Sequence, residues 1–207
     1  MVFGSPMQNP SHHDIEDLLR RVVLPFYHIK REMPLPVGER RWENDAEHSW
    51  SLAFLACALA PLIDTSLDVG KVAQLAIVHD IVEVFSGDIS VFASSDELAF
   101  KQAREAAAAE KIEKEFSHFP WIAETLHAYE ARASNEAQFV YAVDKYIPVM
   151  YDYIDQGKYF QEVGYTYEKY TKQLLPHRKK AHAHSSVGKY YDEVRALLEA
   201  HPEYFSQ

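Results

Sequence analysis

Cysteine, glycine and positive charge are all scarce in this chain. One cysteine, Cys57, occurs among 207 residues. No disulfide can form within the chain, which predicts a reducing, cytoplasmic location. Cys57 lies in the apolar run from Leu52 to Leu59 and reads as a small core residue rather than a catalytic thiol. Only 7 glycines are present and strand-like alternation is rare, so helical periodicity dominates. Lys and Arg total 21 against 31 Asp and Glu, a net charge of −10. That balance argues against a broad nucleic-acid surface. An anionic substrate would need a local cation to overcome the repulsion, and a bound divalent ion would supply one; the same charge also fits an ordinary solvated surface. Met1 to Pro10 carries neither a basic patch nor an apolar block, so no signal peptide is expected. No apolar stretch is expected to reach a membrane span, which predicts a soluble protein.

What is present is a chain that is 47% hydrophobic, enough for one domain with a sizeable core. Ile15, Leu18, Leu19, Val22 and Val23 form an apolar face at helical spacing. The Pro-punctuated segment from Pro25 to Glu43 reads as an irregular connection. Asn44 followed by Glu47 resembles a capping box, predicting a helix to about Ala60, before Pro61. Further helices are predicted over roughly 67–84, 96–116, 120–131, 135–155, 160–175 and 187–200. Pro120, Gly87 and Gly157 act as breakers, and Pro148 is a candidate kink. The fold class is all-α.

The strongest local signal is His79-Asp80-Ile81-Val82-Glu83, followed by Ser86-Gly87-Asp88. Adjacent helical residues project about 100° apart, so His79 and Asp80 can still reach one ion beside the helix. Glu83, one turn on, faces the same side. Gly87 can end the helix and turn Asp88 back towards it. The apolar residues Val72, Leu75, Ala76, Ile77 and Val78 make this a buried helix with ionisable groups at its inner end. Buried charges are costly unless paired or bound to metal, which favours metal or catalytic use over ordinary helix charges. His48 shares a face with Leu52, Leu55 and Leu59; alone it reads as a satisfied core histidine. Asp144 sits beside the apolar face of Phe139, Val140, Val143 and Ile147; alone it divides evenly between ion pair and ligand. Lys145 is expected to point elsewhere. Two imidazoles and two carboxylates suit Mn²⁺, Co²⁺, Fe²⁺, Ni²⁺ or Zn²⁺ better than Ca²⁺, with Mg²⁺ also admitted, and lack the thiolates of a structural zinc site. The pair His182 and His184 reads as an exposed loop without an accompanying acid.

The order His48, His79-Asp80, Asp144 resembles the HD-domain metal-dependent phosphohydrolases, nearest the branch of bacterial 5′-deoxynucleotidases and their HD-domain-containing relatives. The matching pieces are Arg41 to Ser49, His79 to Asp88 and Glu136 to Lys145, together about residues 40–157 of a single domain spanning 1–207. The resemblance implies a helical bundle holding one divalent ion through His48, His79, Asp80 and Asp144. It implies Glu83 on the attacking water, Asp88 near the phosphate or leaving group, and Arg41 near the substrate phosphate. The implied substrate is a small-molecule phosphate monoester, first a (deoxy)nucleoside 5′-monophosphate, with no nucleic-acid polymer or membrane partner. A phosphodiesterase or pyrophosphohydrolase, or a non-catalytic metal-binding module, are the alternatives. A homodimer fits the family and the aromatic-rich stretch from Tyr146 to Phe160.

The chain also departs from that branch. The deoxynucleotidases carry an Arg-Trp pair further upstream than Arg41-Trp42, and Tyr27 to Arg31, in the corresponding region, does not match it. Residues Ile89 to Ser94 lack the Pro and Lys common there. The Gly-Tyr-Pro signature of cyclic-di-GMP phosphodiesterases is absent. Gly87-Asp88 stands where guanosine tetraphosphate hydrolases carry a Glu-Asp pair.

Overall fold

The computed structural model describes residues 9–87 and 95–207. Asp88 and the segment Ile89 to Ser94 lie outside the described residues. The architecture is all-α with one small hairpin. The helices are α1 His12–Leu18, α2 Leu24–Phe26, α3 Asp45–Ile63, α4 Val69–Val78, α5 Glu83–Ser86, α6 Ser95–Glu115, α7 Pro120–Ala131, α8 Asn135–Ile154, α9 Lys158–Glu162, α10 Tyr167–Ala181 and α11 Ser185–Glu199. A π-helical turn over Leu19–Val23 joins α1 to α2, so the apolar face read over that region is one bent helical arm.

The segment expected to be irregular contains an antiparallel hairpin, β1 Lys30–Pro34 paired with β2 Trp42–Asn44. Backbone pairing with a partner strand, rather than any alternation in β1, creates it, and Pro34 sits at the strand's end where its missing N–H costs nothing.

Asn44 ends the hairpin and caps α3. Its side chain accepts from the Glu47 N–H while the Glu47 carboxylate accepts from the Asn44 N–H, satisfying two backbone donors that a helix start leaves open. The helix passes through Pro61 and ends at Ile63, because a proline in the last turn removes only one hydrogen bond. At 19 residues α3 is long and apolar enough, by length and composition, to cross a membrane, against the expectation that no stretch would be. In this fold one face of it enters the core and the other is exposed. Leu52, Ala56 and Ala60 are fully buried against α4 and α8, meeting Val72, Ala76, Phe139, Val140 and Val143, while Trp50, Phe54 and Leu62 face outwards. Asp68 caps α4 through the Gly70 and Lys71 N–H groups, and Ser134 caps α8 through Ala137.

A second cluster of Phe160, Tyr170, Tyr191, Val194 and Leu198 fixes α9 to α11 against the end of α8. Gly157, at φ +70°, starts α9, and a Cβ there would collide with Tyr204. The single helix expected over 160–175 is two, α9 and α10, with Gly164 at φ +63° between them.

Candidate metal centre

The single helix expected to continue to Val84 instead stops at Val78. Residues 79–82 form a tight turn, with Ile81 N–H bonding Val78 O and Glu83 N–H bonding Asp80 O, before α5 begins. The break places His79 at the helix end with its Nδ1 2.9 Å from the Ala76 carbonyl. Nδ1–H is the donor, because a carbonyl only accepts. In the neutral ring that fixes the tautomer, with the lone pair on Nε2. Nε2 is buried and its near neighbours are carboxylate oxygens of Asp80 and Asp144, which like the lone pair are acceptors, an arrangement that a shared cation would satisfy.

Ligand atoms of His48, His79 and Asp80 lie within 4.8 Å of one another. Asp80 Oδ2 is 2.9 Å from His79 Nε2. Asp144, from the middle of α8, puts Oδ1 3.0 Å from His48 Nε2 and 3.9 Å from His79 Nε2. Two donors each about 2.1 Å from one ion, at right angles, stand about 3 Å apart, so these spacings fit a shared divalent cation. Glu43 Oε2, 3.3 Å from His48 Nδ1, is placed as the outer carboxylate that orients a ligating imidazole. The donor set is mixed nitrogen and oxygen, as expected from the sequence.

The electrostatics are dense. Burial works against the charged His48 ring, as does Arg31, yet hydrogen bonds to Asp144 and Glu43 raise its pKa. Burial also opposes ionisation of Asp144, but Lys145 and His48 hold its carboxyl well below the usual range. Asp80 is likewise held down against burial by His79 and Arg31. Both carboxylates are therefore in the form that can bind a cation.

Lys145 corrects the expectation that it points elsewhere: its Nζ lies 2.6 Å from Asp144 Oδ2. Arg31, the end of the stretch that does not match the deoxynucleotidases' upstream Arg-Trp pair, is an addition to the expected set. It leaves β1 to place Nη1 2.7 Å from Asp80 Oδ2 and 3.3 Å from Asp45 Oδ1, with Nε 3.7 Å from Glu43 Oε2. Lys101 of α6 lies 3.4 Å from Glu83 Oε1, and Glu83 is buried beside the set. Arg132 and Lys145 flank the Tyr141 ring at 4.6 and 5.4 Å, and Tyr129 bridges that ring to His79. Lys180 of α10 has its pKa lowered by burial and by Lys145, Lys101 and Arg132. A cationic rim thus surrounds an acidic centre, offsetting locally the overall charge of −10.

Arg41 is not brought to this set. It is exposed and forked onto Glu47 at 2.8 and 2.7 Å. His182 and His184 are also elsewhere, and His182 does have an acid, Asp192, 3.0 Å away. Cys57 is partly buried, and burial raises its thiol pKa, consistent with a packing role.

The HD-domain family model matches residues 27–185. Among solved structures, the chain is similar to a predicted metal-dependent phosphohydrolase from Magnetospirillum magnetotacticum, with 26% identity, 97% of this chain and 100% of that one covered, and a TM-score of 0.75. A conserved hypothetical protein from Pyrococcus furiosus shares the fold at 24% identity, covering 88% of this chain and 99% of that one, TM-score 0.62. A protein from Pyrococcus horikoshii matches at 25% identity over 84% and 97% of the two chains, TM-score 0.58. A comparison with curated proteins finds no match. The family match spans well over half of the chain, and the chain belongs to the HD-domain family.

Proposed function

We propose that this protein hydrolyses a phosphate monoester of a small molecule, with a (deoxy)nucleoside 5′-monophosphate as the first candidate. The observation that carries the reading is the convergence of His48, His79, Asp80 and Asp144, with the buried Nε2 of His79 facing the carboxylates of Asp80 and Asp144. The similarity to the Magnetospirillum protein described as a predicted metal-dependent phosphohydrolase supports it. The four side chains would hold one divalent ion, and such an ion supplies Lewis acidity to a phosphoryl oxygen and acidifies a water.

The chain's own residues do the rest. Glu83 accepts the proton of the attacking water as its oxygen bonds phosphorus. Lys145 and Lys101 steady the phosphoryl oxygens. The bond from phosphorus to the ester oxygen breaks, and that oxygen leaves as an alcohol after taking up the proton that Glu83 accepted; the family resemblance puts Asp88 near the phosphate or leaving group. A homodimer is part of the same proposal.

Metal-loaded protein offered a panel of nucleoside monophosphates and sugar phosphates should release orthophosphate. Product analysis separates this from phosphodiester or pyrophosphate cleavage, which would yield a nucleotide or pyrophosphate. No release from any member of the panel refutes the monoesterase reading.

A further inference from the structure

The β1–β2 hairpin has two working faces, and the metal centre uses only one. Side chains alternate across a strand. Arg31 and Glu43 point inwards to Asp80 and His48, so their neighbours Lys30 and Trp42 belong to the opposite face. There a cavity of about 570 Å³ is lined by Tyr27, His28, Lys30, Arg40, Arg41 and Trp42 among others. No member of the metal set lines it. From its volume and these side chains, we propose that this cavity is a second ligand site, separate from the metal centre, for an aromatic organic anion of the nucleotide class.

The volume falls in the range of small-molecule sites, about 300–1,000 Å³. Its aromatic walls are unusually open: Tyr27 is 56% and Trp42 46% exposed. Trp42 is braced by Tyr159, edge-on at a centroid distance of 6.1 Å, so an incoming planar ring meets a fixed surface rather than a mobile one. The cations are arranged in two ways. Arg40 is pinned by Asp155 at 3.0 Å and Glu162 at 2.6 Å, and Arg41 by both oxygens of Glu47. Their guanidinium planes are therefore preorganised, with donors to spare. Lys30 and His28 have no side-chain ion pair or hydrogen bond among the described residues. Glu162 also lines the cavity, and with Asp155 and Glu47 it balances the two guanidinium charges; the spare donors of those guanidiniums and the ammonium of Lys30, beside two exposed rings, suit a ligand carrying both a flat ring and a negative group. Asn44 lines the cavity and also caps α3, the helix that carries His48, so a bound ligand would sit one residue from the inner site.

The test is calorimetric titration of AMP, GMP, CMP and UMP, each separately, into full-length protein and into Asp144→Asn, which removes one proposed metal ligand with little change of shape. His79→Ala serves as a second inner-site variant if the first folds poorly. At least one nucleotide should bind the inner-site variant with affinity within about threefold of wild type. In that background Lys30→Glu and Trp42→Ala should each weaken binding tenfold or more, with Trp42→Phe retaining most of it. Adenosine alone and inorganic phosphate alone should bind more weakly than AMP. Nucleotide binding that disappears in both inner-site variants, binding untouched by Lys30→Glu and Trp42→Ala, or no binding by any of the four nucleotides overturns the proposal. None of these readings depends on whether the metal centre turns over substrate.

Discussion

The ammonium of Lys145 lies 2.6 Å from one oxygen of Asp144, whose other oxygen faces the His48 ring at 3.0 Å. One carboxylate thus divides itself between a fixed cation of the chain and the position of the proposed ion. Lys145→Met should free Asp144 from that competition and remove a contact to the phosphoryl group. Metal affinity is expected to stay equal or rise, while KM for the best phosphate ester rises about tenfold, the loss of one charge-assisted hydrogen bond. Metal titration together with steady-state kinetics checks it; weakened metal binding with unchanged KM would contradict this role.

Arg31 sits among Glu43, Asp45 and Asp80, and Glu43 and Asp45 are fully buried. Removing a cation from such a buried group costs about 3–5 kcal/mol. Arg31→Ala should therefore unfold at a much lower temperature without added metal. Adding Mn²⁺ or Zn²⁺ should recover part of the loss, because the ion would be bound by Asp80, one of the three carboxylates, and would place positive charge beside the other two. Thermal melts of both proteins with and without metal decide it, and an equal loss in both conditions goes against the prediction.

Asp152 lies at the edge of the aromatic cluster around Tyr170 and Tyr191. Burial, and then the neighbouring Asp155 carboxylate, push its pKa well above the usual carboxylate value. The folded state therefore prefers the neutral acid, whereas the unfolded chain ionises near pH 4. Asp152 costs no stability below that pH; the cost grows as pH rises from there until the folded pKa is passed. Asp152→Asn removes this term. Relative to wild type it should melt about 2–4 °C higher at pH 7, about 1 kcal/mol, with the gain shrinking towards pH 4. A gain that does not depend on pH would show that ionisation is not the cause.

The parts of the site visible in the sequence were those that depend on local spacing. His79, Asp80 and Glu83 stood out because they follow one another at the inner end of an apolar helix, and Asn44 with Glu47 because a capping box is a four-residue pattern. His48 and Asp144 became readable only through their order along the chain, since each alone fits a core residue. Lys145 departs from its sequence expectation because adjacent helical positions diverge, yet a four-carbon stem lets an ammonium swing back to its neighbour. Arg31 carries no local spacing signal: its partner Asp80 is 49 residues away, and β1 carries no apolar alternation to mark it as a strand. The break after Val78 has no glycine or proline to announce it.

The most direct test of the central claim is orthophosphate release by wild type and Glu83→Gln, each with its metal content measured in the same sample. Wild type should turn over its best phosphate ester. Glu83→Gln should hold the same stoichiometric metal yet lose about 10²–10⁴-fold in kcat, the contribution of a positioned general base. Turnover that survives Glu83→Gln undiminished, with metal bound, would contradict the account of how this site works.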